Sequence, residues 1–344
     1  MPSGPAREPD LPDLVRDSKI ETKSDNNSVF HHVFYETGQS ARQRLVRREE
    51  QWVRERELGR GAFGTVFLER CTSAGGGTLR AVKELRKFVT AGQELDYLME
   101  LEAIVKFSHA AYAHCFVRSG GWFEIGDSIF IVMEYLPYGD LQACLNSALP
   151  EREARQICRQ VLEGLGYMHD NGFVHRDLKP GNIMVKERGP NWWVKIGDFG
   201  ISKRRRGDVR SLQTHLHRGT LGYAAPEALG IGANSTSTSY TSAVDIWSVG
   251  ALVYKMLTNQ LAFHDIGGLY MYACGHRTFP SAMEDCNVSE EARAFVKKLM
   301  APSYQDRPSA KTALEDTWIL TTQPSGLTGS HDQEYVYLLA ERTG

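Results

Sequence analysis

The apolar pattern of the sequence changes in kind near Gly139, and this change constrains the fold more than any other feature. Before it, short β-type runs alternate with glycines (QWVRERELG, GTVFLER, TLRAVK), and SIFIVMEY is typical of a buried strand. One stretch in this half, AGQELDYLMELEAIVKF, has apolar residues at near-helical spacing. After Gly139, helical periodicity is clearest over residues 152–169 and 244–256 and returns over 289–300 and 310–320. We therefore expect an α+β fold with a strand-rich first lobe and a helical second lobe.

The charge balance and the cysteines exclude several classes of protein. Lys and Arg number 40 against 42 for Asp and Glu, so the net charge of −2 gives no general reason to expect nucleic acid or anionic lipid as a partner. The N-terminus lacks the apolar run of a secretory signal, and no apolar stretch approaches the roughly 18 residues of a membrane span. Six cysteines without a CxxC pair favour reduced thiols and argue against structural zinc. We expect an intracellular protein, cytoplasmic, nuclear or both.

Three segments have too few large apolar residues to predict a packed structure. Residues 1 to about 30 are rich in Pro, Asp, Ser, Lys and Asn, which favours a disordered lead. Residues 31–50 are compatible with a helix packed on the following domain or with a solvated linker, and their charge favours the linker. The stretch GIGANSTSTSYTSA is expected to be a mobile loop.

The first motif that indicates chemistry is a GxGxxG formed by Gly59, Gly61 and Gly64. A tight glycine turn between two strands is the simpler interpretation. A dinucleotide-binding fold would require a helix after the third glycine, but TVFLE favours a strand. The motif is then a hairpin whose backbone N–H groups can approach phosphates, because no Cβ intervenes.

The second motif is a lysine, Lys83, that follows Ala81 and Val82 at the end of a predicted strand. A single lysine in this position is usually a surface charge. Its interpretation changes if a carboxylate fixes it beneath the glycine hairpin, where an ammonium could contact phosphate oxygens. Glu100, on the predicted helix, is the candidate partner.

The third and fourth motifs are FVHRDLKPGNIMV, residues 173–185, and IGDFG, residues 196–200. The polar residues of the first are ordinary for an exposed turn, but its apolar flanks indicate a loop held between two strands. In the second, Asp198 follows an apolar strand, although a turn-capping role would also explain it. Asn182 and Asp198 together offer hard oxygen ligands for Mg²⁺, and Asp177 is then free to deprotonate an incoming hydroxyl.

Taken in order, these four motifs match the signature set of protein kinases, and the chain resembles a eukaryotic-type serine/threonine kinase from about Gln51 to Leu320. Further matches are GTLGYAAPE, DIWSVG and DRPS, and the overall look is shared with the calcium/calmodulin-dependent group. The resemblance implies a bilobal fold, with an antiparallel sheet and one helix in the N-lobe (50–136) and a mainly helical C-lobe (137–320). Residues 1–49 would be an extension, partly disordered, and 321–344 a short tail.

The resemblance also implies ATP and Mg²⁺ as cofactors and assigns roles to individual residues. Asp177 would be the catalytic base, Lys179 would steady the transferring phosphoryl group, and Asn182 with Asp198 would hold the metal. Lys83 would contact the α and β phosphates while paired to Glu100, with Glu102 or Glu94 as alternatives for that pairing. The remaining residues expected around the nucleotide are Leu58, Gly59, Gly61, Ala62, Phe63, Gly64, Val66, Ala81, Met133 (as gatekeeper), Glu134, Leu136, Asp140 and Met184.

Other implied roles concern acceptors and structure. Lys179 in DLKPGN is typical of kinases that act on Ser and Thr of protein substrates. Glu227 and Arg307 resemble a buried ion pair that ties the activation segment to the helical lobe, and Asp245 resembles a residue that bonds the catalytic-loop backbone.

The segment KRRRGDVRSLQTHLHRGT suggests regulation. We expect phosphate on Thr214, or alternatively Ser211, added by an upstream kinase, to pair with Arg176 and order the segment. Two differences from relatives that prefer basic substrates argue against assigning their phosphorylation site and specificity directly to this chain. Leu216 stands where many of them carry the activating Thr, and Gly181 stands where some carry Glu.

Two other classes of protein compete with an active protein kinase. A pseudokinase scaffold would bind nucleotide or partner proteins without transferring phosphate, but such proteins often lack one of the five residues Lys83, Glu100, Asp177, Asn182 and Asp198, which are all present here. A metabolite or lipid kinase would not need the complete GT–APE segment. Residues 321–344 lack a basic amphipathic helix, so calmodulin is not expected as a partner.

Overall fold

The computed structural model describes residues 12–25, 28–37, 44–61, 64–73, 77–90, 93–94, 97–198, 203–204, 221–231 and 242–321. Its helices are α1 (Asp13–Asp17), α2 (Tyr97–Phe107), α3 (Leu141–Cys144), α4 (Glu151–Asp170), α5 (Ala243–Thr258), α6 (Ile266–Ala273), α7 (Ala282–Asp285), α8 (Glu290–Leu299), α9 (Ala310–Leu314) and α10 (Thr317–Leu320). Among these residues, no helix has the length and apolar character needed to cross a membrane.

The strands are concentrated in the first lobe. They are β1 (Thr22–Asp25), β2 (Ser28–Thr37), β3 (Arg44–Gly61), β4 (Gly64–Cys71), β5 (Leu79–Arg86), β6 (Phe88–Thr90), β7 (Gln93–Glu94), β8 (Ser119–Ile125), β9 (Ser128–Glu134), β10 (Phe173–Val174), β11 (Ile183–Glu187), β12 (Trp193–Ile196) and β13 (Lys203–Arg204). Seven of them form one antiparallel sheet in the order β1-β2-β3-β4-β5-β9-β8. Pairs β6–β7, β10–β13 and β11–β12 are separate two-stranded ribbons.

The inner strands of the large sheet bury apolar side chains on both faces, because successive side chains of a strand point to opposite faces. On β5, Leu85 belongs to the main core that α2 also joins, whereas Val82 belongs to a second cluster. That second cluster also contains Phe123, Phe130 and Val132, and it is covered by Ile20 and Val29 of the N-terminal region. The N-terminal region thus encloses a sheet face that would otherwise contact water.

The N-terminal region differs from the sequence expectation. Residues 13–17 are helical, residues 22–25 and 28–37 are strands, and β3 begins at Arg44 rather than near Gln51. The prediction that residues 1 to about 30 are disordered is therefore wrong for the described residues before 31. For residues 31–50, the predictions of a helix and of a solvated linker are both wrong over β2 and the start of β3. Strand β2, SVFHHVFYET, has no clear polar–apolar alternation, and backbone pairing with β3 stabilises it where side-chain pattern alone did not predict it.

The second lobe is built on α4 and α5. Helix α4 buries residues at i, i+3 and i+4 spacing, from Ala154 to Met168, and α5 buries almost its whole circumference, as a central helix must. The predicted helix at 310–320 is instead two short helices, because Asp316 accepts a bond from the N–H of Trp318 and starts α10. The predicted helix at 91–107 begins only at Tyr97. The loop predicted at GIGANSTSTSYTSA lies mostly outside the described residues.

Candidate active site

Lys83 lies at the centre of the site, where three elements meet. Its Nζ donates to Oε1 of Glu100 on α2 at 2.6 Å and to Oδ1 of Asp198 after β12 at 2.7 Å. Lys83 and Glu100 are both buried. Burial alone would lower the pKa of Lys83, but the carboxylates of Asp198 and Glu100 outweigh it and raise that pKa, so the lysine stays charged. Burial raises the pKa of Glu100, an effect that Lys83 opposes.

The hairpin of β11 and β12 places Asp198 next to Asn182. Ile183 pairs with Ile196, and the N–H of Gly197 donates to the carbonyl oxygen of Asn182 at 2.8 Å. Asp198 adopts a left-handed backbone conformation, with φ of 51°, where the strand ends. Such strain in a non-glycine residue is typical of functional sites, because it re-aims a side chain away from the direction of the strand.

Asp177 has an unusual hydrogen-bonding state for a buried carboxylate. Its Oδ2 accepts from Nζ of Lys179 at 2.6 Å and from Nδ2 of Asn182 at 3.1 Å. Its Oδ1 is buried and has no hydrogen-bond partner among the residues that the structure describes. A buried acceptor without a donor is costly, and in a cleft it indicates an atom that awaits a ligand's proton.

The backbone of the catalytic loop is held by Asp245 from α5. Its two carboxylate oxygens accept the N–H groups of His175 and Arg176 at 2.9 and 2.8 Å, and His169 Nε2 lies at 2.8 Å. Arg176 has a φ of 72°, a conformation that needs such support in a non-glycine residue. Burial by itself would raise the pKa of Asp245, but His169 and the backbone donors bring it below its usual value.

Strand pairing places the expected nucleotide-lining residues around Lys83. Ala81 pairs with Met133, and Lys83 pairs with Val66, so these side chains share one face of the sheet. The glycine motif forms the predicted hairpin: Gly59 pairs with Val66, and Gly61 with Gly64. Gly64 has a φ of +132°, and a Cβ there would collide with the backbone oxygen of Glu84. Ala62 and Phe63 lie outside the described residues.

The connection between the lobes carries the remaining lining residues. Leu58 precedes the glycine motif on β3, and Leu136 is buried just after β9. Asp140 caps α3 by accepting the N–H of Ala143 at 2.9 Å, and its backbone bridges to Met184 on β11. The expected lining residues therefore come from both lobes, and strand pairing places Val66, Ala81 and Met133 on the same sheet face as Lys83.

Sequence reasoning missed one residue of this cleft, Lys195. It is buried on β12, and its Nζ donates to Oε1 of Glu134 at 2.6 Å, which joins the strand before Asp198 to the connection between the lobes. A lysine inside an apolar strand such as WWVKI was the available signal, because a buried ammonium requires a carboxylate. The sequence did not show which carboxylate that would be.

A sequence model of the protein kinase domain matches residues 52–319. The chain belongs to the protein kinase family. The serine/threonine-protein kinase RAD53 of Saccharomyces cerevisiae is 36% identical over 277 residues, which cover 76% of this chain and 32% of the yeast protein. Calcium/calmodulin-dependent protein kinase type 1 of Caenorhabditis elegans is 32% identical over 267 residues, covering 76% of this chain and 72% of that kinase. The matched portion is thus about a third of the yeast relative's length.

Solved structures agree with these sequence matches. A crystal structure of the Rad53 kinase domain and SCD2 has a TM-score of 0.60 at 32% identity, covering 80% of this chain and 95% of that one. A second Rad53 structure, in complex with AMPPNP, has a TM-score of 0.56 at 30% identity, covering 76% and 90%. The predicted bilobal kinase fold and serine/threonine kinase class are confirmed, as is the resemblance to the calcium/calmodulin-dependent group. The exact boundaries of extension, domain and tail stay predictions.

The expected structural pair is present in the second lobe. Nη1 and Nη2 of Arg307 donate to Oε1 and Oε2 of Glu227 at 2.6 and 2.9 Å, a bidentate contact across 80 residues of sequence. Ser211 and Thr214 lie outside the described residues, so the structure does not test the predicted phosphorylation.

Proposed function

We propose that this protein transfers the γ-phosphoryl group of ATP to serine and threonine hydroxyls of protein substrates. The single observation that carries the proposal is the double contact of Lys83, which joins Glu100 to Asp198 across 115 residues of sequence. In protein kinases this lysine pairs with a glutamate of the N-lobe helix, and both must be in place for transfer. The contacts of Lys83 with Glu100 and Asp198 support this arrangement here.

Each residue of the site then has one task in the transfer. Lys83, held by Glu100, contacts the nucleotide phosphates beneath the glycine hairpin of Gly59, Gly61 and Gly64. Asp177 accepts the proton of the incoming hydroxyl, and its buried Oδ1 supports this role because it lacks a donor among the described residues. Lys179, bonded to the other oxygen, steadies the transferring group and holds the carboxylate of Asp177 in position.

The nucleotide base is proposed to lie between the lobes. Met133 closes the back of the pocket, and the backbone of Glu134 and Leu136 bonds the adenine. Leu58, Val66, Ala81 and Met184 line the pocket, and Asp140 lies where it could reach the ribose. The pairing of adjoining first-lobe strands and the bridge between Asp140 and Met184 in the second lobe support this placement.

Mg²⁺ is the proposed metal, and the residues present fit it. Both hydrogen bonds from the side-chain Nδ2 of Asn182 go to Asp177, at 2.6 Å to its backbone oxygen and 3.1 Å to its carboxylate, which turns the amide oxygen of Asn182 to the opposite side. This oxygen and the carboxylate of Asp198 are the hard ligands that Mg²⁺ prefers. When bound, Mg²⁺ neutralises phosphate charge.

A direct test is phosphate transfer from radiolabelled ATP to casein by the purified full chain. Asp198→Ala should lower the rate at least about 100-fold, since it removes a group that acts on the phosphates. The matched control is Asp127→Ala, at an exposed turn outside the cleft, which should retain the rate. Phosphoamino-acid analysis should show phosphoserine and phosphothreonine. Nucleotide binding without transfer by the wild type would favour a scaffold instead.

Regulation through the activation segment rests on sequence alone. We infer that an upstream kinase phosphorylates Thr214, or otherwise Ser211, and that the phosphate pairs with Arg176. Thr214→Ala should then lower the specific activity of enzyme purified from its native cells, while mass spectrometry locates the phosphate in the wild type. Unchanged specific activity would contradict the idea.

The cellular setting is likewise inferred. An intracellular location, cytoplasmic or nuclear, is supported by six cysteines that are all free, since secreted proteins usually pair theirs. Among the residues that the structure describes, no feature supports calmodulin or nucleic acid as a partner.

A further inference from the structure

The N-terminal segment of residues 12–25, which precedes the span matched to the kinase family, is built into the first lobe. Its backbone bonds to β8: the N–H of Ile20 donates to the oxygen of Trp122 at 2.7 Å, and the N–H of Trp122 to that of Ser18 at 3.2 Å. Strand β1 of the same segment pairs with β2 at the opposite end of the large sheet. The segment thereby links the first and last strands of the sheet.

The short helix α1 of this segment packs against α2, the helix that carries Glu100. Val15 of α1 is fully buried and belongs to the same apolar core as Leu101 and Ile104 of α2. The indole Nε1 of Trp122, itself fully buried, donates to the backbone oxygen of Val15 at 2.7 Å. The segment is therefore joined to α2 by packing and to β8 by hydrogen bonds.

Gly121 shows independently that the lobe is shaped to receive the segment. Its φ is +112°, and a Cβ at this position would lie 2.7 Å from the backbone oxygen of Ser18 and 2.9 Å from Cγ1 of Ile20. Such distances are too short for a carbon atom. The approach of residues 18–20 to β8 thus requires glycine here.

The physical consequence concerns the position of α2. A helix of 11 residues is marginal by itself in water, so its place depends on what packs against it. If α2 shifted, Glu100 would leave Lys83, and kinases control activity through the position of this helix. The contact with α1 opposes that shift.

We propose that residues 12–25 form a clamp that holds α2 in place, with Val15 and Trp122 as positioning residues for Glu100. The effect on turnover rests on the proposed kinase function, whereas the effect on α2 does not.

The test compares two tryptophan variants in the full chain. Trp122→Phe removes the indole bond to Val15. Trp318→Phe is the matched control, because it removes a buried indole bond to Glu151, at 2.8 Å, in the other lobe. Hydrogen exchange should become faster over residues 97–107 in Trp122→Phe and stay unchanged there in Trp318→Phe. The value of kcat should fall about tenfold in Trp122→Phe, within the usual range for coupling between sites, with KM for casein little changed.

Two further variants keep the test informative if Trp122→Phe folds poorly. Gly121→Ala should displace residues 18–20 and speed exchange over α2 in the same way, whereas Leu14→Ala, at a side chain of α1 that is 49% exposed, should not. Unchanged exchange over residues 97–107 in both Trp122→Phe and Gly121→Ala would overturn the clamp. An inactive wild type that still shows the exchange pattern would instead count against the kinase function.

Discussion

At the scale of single residues, the first lobe buries an ionic cluster that has no part in the proposed chemistry. Nη2 of Arg80 donates to Oε2 of Glu69 at 2.6 Å and lies 2.8 Å from Nε2 of His31. Because arginine only donates, Nε2 of His31 is the acceptor, so its Nδ1 carries the hydrogen and donates to Oγ1 of Thr22 at 2.8 Å. The neutral histidine thus connects the N-terminal extension to β5.

This histidine predicts a pH dependence of stability. Burial, and then the charges of Arg80 and His32, lower the pKa of His31 to about 3 from an ordinary value of 6.5. Between pH 3 and pH 6.5, His31 is therefore protonated in the unfolded chain but neutral in the folded protein. The free energy of unfolding should therefore fall as pH is lowered from 6.5, by up to about 1.4 kcal/mol per pH unit from this group.

Urea unfolding between pH 7 and 5 measures this contribution. The pH slope of His31→Gln should be flatter than that of the wild type, because the variant has no proton to bind at this position. His264→Gln, at an exposed histidine, serves as control and should keep the wild-type slope. Identical slopes for all three proteins would show that His31 does not titrate as the structure requires.

At the scale of elements, the position of Asp198 depends on how strand β12 is held by its neighbours. Strand β12 pairs with β11, but the oxygen of Ile196 also accepts the N–H of Val117, and its N–H donates to Cys115. The strand that delivers Asp198 is therefore fixed to the segment that leads from α2 into β8. The clamp proposed above, residues 12–25, packs against α2 itself. Glu100 on α2 and Asp198 after β12, the two partners of Lys83, are therefore both carried by elements of one connected core.

At the scale of the whole molecule, the pair of Glu227 and Arg307 holds together distant parts of the second lobe. The side chain of Arg307 is fully buried, and it also donates to the backbone oxygens of Ala301, Ala243 and Pro302. One side chain thus joins the residues after the activation segment, the start of α5 and the loop after α8. The Nε, Nη1 and Nη2 atoms of Arg307 all donate hydrogen bonds in these contacts.

Breaking this pair on one side should be costly. Arg307→Met should lower the free energy of unfolding by about 3 kcal/mol or more, because it leaves Glu227 and several carbonyl oxygens without their donor. Adding Glu227→Gln should cost less than the sum of the two single changes, since the partners are coupled. Urea unfolding of the three variants gives the comparison. Arg293→Ala, which breaks an exposed pair with Glu290, should cost less than about 1 kcal/mol, and an equal loss there would refute the argument.

The sequence by itself determined the local motifs and the division into lobes. The glycine hairpin, the strand that ends at Lys83 and the helix that carries Glu100 follow from patterns within about 20 residues, and the loop of Asp177 is bounded by its own apolar flanks. Such features depend on neighbouring residues, whose chemistry can be read along the chain. Resemblance to kinases then supplied roles that no single pattern could.

Only the tertiary structure decided which distant residues meet. The extension was missed because β1 is polar, β2 has no clear alternation, and both depend on strand pairing and on burial over the outer cluster, neither of which leaves a periodic signal. Lys195 was missed because its carboxylate, Glu134, lies 61 residues away. Contacts over such separations depend on the packing of the whole core, and a buried charge reveals its partner only when the chain has folded around both.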